Sequence, residues 1–101
     1  MNVGEEMHGW ARDLFPISRS LTGSGVRQTL AYLGRLLPGL VVHEVPTGTQ
    51  AFDWTVPDEW NIRAAYVENE RGERIVDFAR HNLHVMGYSH PVDEWLDRDA
   101  L

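Results

Sequence analysis

Hydrophobic positions recur along this chain first with helical spacing and then with the shorter period of extended backbone. Val3, Met7, Trp10, Ala11 and Leu14 fall at i, i+4, i+7, i+8 and i+11, one stripe of a helix. Pro16 limits how far that helix runs, because the residue before a proline is driven out of the α region. A second stripe, Val26, Leu30, Leu33 and Leu37, predicts a helix from about residue 24 to 37, ended by Pro38 and Gly39. From residue 40 the period shortens towards 2. "LVVHEV" is a short β-branched run closed by Pro46. "AFDWTVP" alternates, with Phe52, Trp54 and Val56 on one side and Asp53 and Thr55 on the other. Trp60, Ile62, Ala64 and Tyr66 continue that alternation, "NERG" predicts a hairpin turn into "ERIVDF", and "NLHVMGYS" predicts a last strand. "PVDEWLDRDAL" predicts a helix that opens on a proline and acids, which suit the positive end of a helix dipole. The fold class is therefore α+β: two N-terminal amphipathic helices, a small antiparallel β domain and a short C-terminal helix.

Composition narrows the setting. At 101 residues, 43% hydrophobic and 24% charged, the chain has the make-up of one small globular domain rather than of a disordered segment. A net charge of −6 and the absence of any lysine argue against a nucleic-acid partner, which requires a basic face. No apolar run approaches the ~18 residues of a membrane span, and the start "MNVGEEMHGW" has neither the basic opening nor the apolar run of a signal peptide. No cysteine is present, which removes disulfides and thiolate metal sites. A cytoplasmic protein is expected.

The most unusual stretch is "LFPISRSLTGSG", residues 14–25, where an apolar start gives way to Ser, Thr and Gly just before the second helix. Gly23 and Gly25 free the backbone there, and amides at a helix start can hold an anion, with Arg19 and Arg27 adding charge. Ser20, Thr22 and Ser24 complete this candidate site. Ser24 or Thr22 acting as an N-cap accounts for the same residues, and a phosphate loop would require a strand, not a helix, in front of it. Elsewhere the chemistry is sparse. "HNLH" spaces His81 and His84 at i and i+3, but a strand points such residues to opposite sides, so no metal set emerges. Trp54 and Trp60 flank "TVPDE" and are expected in the core, with an aromatic ligand wall as the alternative.

Three strings, "LFPISRSLTGSGVRQTL", "HEVPTGTQAFDWTVPDEWNIRAAYV" and "IVDFARHNLHVMGYSHPV", resemble the amino-terminal part of a family of bacterial zinc aminopeptidase-like proteins. Those longer proteins combine a co-catalytic zinc peptidase core, a small β-rich insertion near its start and a C-terminal winged-helix domain. The family string often carries cysteine where this chain has Ser18. The resemblance implies three regions: a helical segment over 1–38, a β-rich insertion over 39–90, and the start of a helix over 91–101 that leads to a peptidase core. It implies no catalytic residue, metal ligand or cofactor in this chain, because the family's zinc ligands lie downstream. It also implies that Arg19, Ser20, Thr22, Gly23 and Ser24 edge the approach to an active site. The expected partners are the remainder of a peptidase core or a second copy meeting through the N-terminal helices. A self-contained binding module is the alternative function.

Overall fold

A computed structural model describes residues 2–101. Two helices open the chain. The first, α1, spans Val3–Leu14, and its N-cap Asn2 accepts the Glu5 amide at 2.8 Å. Glu5 and Glu6 occupy its first turn and Arg12 its last, each favourable to the helix dipole. The second, α2, spans Ser24–Leu36 and stops against Pro38 and Gly39 as the sequence predicts. The Tyr32 hydroxyl donates to the Asp13 carboxylate at 2.6 Å and ties the two helices; this bond holds the phenol's pKa above its ordinary value.

Two separate antiparallel hairpins follow. In the first, β1 (Gln50–Ala51) pairs with β2 (Trp54–Thr55) around a two-residue turn, Phe52 and Asp53. Phe52 has φ 56°, a conformation that hairpin turns usually give to glycine, and its ring is fully exposed. In the second, β3 (Tyr66–Glu68) pairs with β4 (Arg74–Asp77). Its turn is organised by Asn69, whose side-chain oxygen accepts the amides of Arg71 and Glu73, both at 3.0 Å. The Arg74 guanidinium lies over the Tyr66 ring at 3.8 Å and pairs with Asp77 at 3.2 Å. Asp77 also accepts the Ala79 amide at 3.0 Å; that bond first, and Arg74 second, holds its carboxyl below the usual aspartate range.

Several expected strands take other forms. "AFDWTVP" is not one alternating strand but the first hairpin, because Phe52 and Asp53 reverse the chain in its middle. Residues 40–45 and 60–65 form no strand, and "NLHVMGYS" is a 3-10 turn, Asn82–His84, followed by irregular chain. That turn brings the His81 and His84 rings to 5.8 Å, where a strand would have separated them. The helix expected from Pro91 reduces to one 3-10 turn, Arg98–Ala100. Trp54 is 51% exposed rather than in a core. A strand exists only where a second backbone completes its hydrogen bonds, and among the described residues no strand does so for residues 40–45 or 82–89.

The packing explains why. Among the described residues no large hydrophobic side chain is buried, and neither helix packs along a hairpin. The radius of gyration is 17.8 Å, where a compact chain of this length has roughly 13 Å. The accessible surface of 8889 Å² exceeds that of a compact monomer of the same mass by roughly 3,000 Å². The described residues do not close a core over themselves.

Candidate functional site

Hydrogen bonds between distant parts of the chain gather where "RSLTGSG" meets two later segments. Ser20 Oγ reaches the carbonyl oxygens of Thr22 and Trp60, the second at 3.1 Å. The Trp60 amide returns a bond to the Thr22 carbonyl at 3.3 Å. Thr22 Oγ1 and the Tyr88 hydroxyl stand 3.0 Å apart, and both converge on the Asp58 carbonyl, at 3.3 and 3.0 Å. The Trp60 and Tyr88 rings stack with centroids 6.2 Å apart, and Trp60 Nε1 donates to the Ser89 carbonyl at 2.9 Å. Tyr88 holds φ 65°, a left-handed conformation that persists for a non-glycine residue because the stack and both hydroxyl bonds over-determine it.

The loop's two glycines are required by close approach. Gly23 has φ 148°, and a Cβ there would meet the Trp60 carbonyl oxygen at 2.6 Å. At Gly25 a Cβ would sit 1.7 Å from the Ser18 carbonyl oxygen. Both are buried. The start of α2 is capped from a distance: Asn61 Oδ1 accepts the Ser24 amide at 2.7 Å and the Ser24 hydroxyl at 2.9 Å. The N-cap position itself belongs to Gly23, which has no side chain to offer, so neither Ser24 nor Thr22 caps the helix. Arg19 donates to the Leu14 carbonyl at the end of α1, at 2.9 Å, and to Thr29 Oγ1 at 3.3 Å. Arg27 pairs with Glu59 at 2.5 Å on the exposed surface. Ser20, Thr22, Gly23 and Ser24 are thus brought together, while Arg19 reaches back to α1.

Beside this junction lies a cleft of about 280 Å³ lined by Pro16, Ile17, Gln28, Trp60, Ile62 and Phe78. The Ser24 and Asn61 pair forms its polar edge. Among the described residues no three His, Asp or Glu side chains stand close enough together to hold a metal ion. His84 Nδ1 bonds the Asp77 carbonyl at 3.0 Å and His81 Nδ1 accepts the Leu83 amide at 3.1 Å, so both imidazoles have structural partners. Sequence reasoning missed Asn61 and Tyr88. Asparagine's preference for helix caps was a usable signal, but nothing local assigned it to a helix 37 residues away.

Replacing Asn61 by Ala is expected to destabilise the start of α2 by about 1 kcal/mol, the usual worth of an N-cap. Asn61→Asp should retain the cap, since a carboxylate accepts the same bonds and suits the dipole. Amide exchange at Ser24 measures both; equal protection in the Ala variant would refute the cap.

An α+β chain built around this junction defines its class. The chain belongs to the family described as "Domain of unknown function (DUF4910)", whose model matches residues 8–94. It is 51% identical over 99 residues to a Clostridium acetobutylicum protein named "Putative polysaccharide biosynthesis protein with aminopeptidase-like domain". That match covers 98% of this chain and 23% of the relative. A crystal structure of a "putative peptidase" from Clostridium acetobutylicum is similar at 54% identity with a TM-score of 0.83, over 88% of this chain and 21% of that one. The chain thus spans less than a quarter of the length of either relative.

Proposed function

We propose that this chain is the non-catalytic N-terminal portion of a zinc-dependent, aminopeptidase-like protein, seated on a peptidase core and shaping substrate access to it. One observation carries the reading: apolar side chains on both helices and both hairpins find no interior within the described residues, yet the same shape recurs inside a much longer peptidase-like chain. A fold without its own core is what a segment packed against a larger body would have. In this reading the loop of Arg19, Ser20, Thr22, Gly23 and Ser24 borders the core's cleft, and the metal is held by the core rather than by these residues. A cytoplasmic setting belongs to the same proposal.

Co-expression tests it. The tagged 101-residue chain is produced with the remaining part of the Clostridium acetobutylicum relative. The two should co-purify, and chelator-sensitive release of an N-terminal amino acid should come from the complex and not from the chain alone. Absence of any complex refutes the proposal.

A second reading, a self-associating interaction module, is favoured by the exposure of Val3, Met7 and Phe15 along and just after α1. It predicts a two-fold dimer by sedimentation that weakens on Trp10→Ser and survives addition of the core.

A further inference from the structure

We infer that residues 40–45, "LVVHEV", form a strand only when added to the sheet of a peptidase-like core. The inference rests on the proposed function for its partner, and on this chain's own backbone for its mode. No backbone or side-chain group of residues 41–45 makes a hydrogen bond within the described residues. Four of the six residues are apolar, three of them valine, a residue that prefers extended backbone. Pro38 and Gly39 stop α2 just before the run, and Pro46 closes it, so its extent is bounded on both sides.

The pattern also specifies the kind of sheet. Leu40 and Val42 point to one face of such a strand and Val41 and Val45 to the other. All four are now exposed, Val41 at 69% and Val45 at 59%. A strand at a half-solvated sheet would keep one polar face; apolar residues on both faces suit a sheet covered on both sides. The two hairpins of this chain offer no such sheet, since each has only two strands and mostly exposed residues. A second copy offers no other sheet than these. The relatives, more than three-quarters of whose length lies outside the match, carry enough further chain to supply one. Main-chain bonding to an open edge then supplies affinity, with the alternating valines filling pockets on either side.

Amide hydrogen exchange on the co-expressed complex decides the matter. The amides of at least one alternate set, Val41, His43 and Val45 or Val42 and Glu44, should slow by at least roughly a hundredfold relative to the free chain. A paired variant, Val42→Pro with His43→Pro, removes a donor of each parity and should weaken capture by the core at least roughly tenfold. The pair Val42→Thr with His43→Thr keeps both amides and the extended preference and should stay within about threefold. The prolines fall in a segment that bonds to nothing else here, so α2 and both hairpins should be undisturbed. Exchange as fast in the complex as in the free chain, or full capture of the proline pair, overturns the strand while leaving the proposed function intact. Slowed exchange that appears in the chain alone, through self-association, also overturns it. Loss of the complex in the unaltered chain defeats the proposed function and this inference together.

Discussion

Purified alone, the 101-residue chain is expected to bind a hydrophobic dye strongly and to unfold in urea without a cooperative tertiary transition. The physical cause is the missing interior. Cooperativity arises when many side chains lose the same buried environment at once, and among the described residues no large hydrophobic side chain has one. The surplus of roughly 3,000 Å² of accessible surface is comparable to what a large obligate interface buries. The helices should persist partly, each with its own amphipathic stripe and α1 with its Asn2 cap, so far-UV signal would decline gradually while tryptophan fluorescence reports a wet environment. Addition of the peptidase-like remainder of the Clostridium acetobutylicum relative should convert this into a single sharp transition, because that surface then leaves water. A monomeric chain that unfolds sharply by itself, with no dye binding, would show that it closes a core after all.

The second large effect is expected from Gly25→Ala. Gly25 lies in the first turn of α2, where alanine normally improves a helix by about 1 kcal/mol. Here the added Cβ would fall 1.7 Å from the Ser18 carbonyl oxygen, far inside any real contact, and the obstacle is backbone that cannot rotate away. Either α2 moves off the "ISRS" segment or the junction of Ser20, Thr22, Trp60 and Tyr88 opens. The expected cost is about 3 kcal/mol, the upper end of what overpacking does. In the assembled complex this corresponds to roughly a hundredfold faster amide exchange at Ser24 and Trp60. Gly34→Ala is the control of opposite sign: nothing lies within 4 Å of its added Cβ, so the helix should gain stability. If both variants behave alike, the glycine at position 25 is not there for close approach.

Both effects come from one arrangement. The stretch from Leu14 to Gly25 is a joint, with its glycines spent on backbone contact and its hydroxyls on carbonyl groups of the Asp58 to Asn61 segment. Its polar side faces a small cleft, and its apolar start, Phe15, leans edge-on against His81 at 5.6 Å while Asn82 donates to the Phe15 carbonyl. A joint of this kind sets the direction in which α1 and the hairpins present their apolar faces.

The two helices were legible in the sequence because their determinants are local. The stripes of α1 and α2 repeat within a few residues, Pro16 and the Pro38 and Gly39 pair act on their immediate neighbours, and helix hydrogen bonds close within four residues. The second hairpin was legible for the same reason: Asn69 and Gly72 build its turn from adjacent residues. The first was not, because Phe52 takes a positive φ that its side chain gives no reason to expect. The belonging of Asn61 to α2, and of Tyr88 to Thr22, was invisible, since each bond joins residues tens of positions apart. Residues 40–45 show the division most plainly. Alternation and β-branching established that this run favours extended backbone, whereas a strand exists only once a second backbone completes its hydrogen bonds, and whether this chain provides one is a property of its tertiary structure alone.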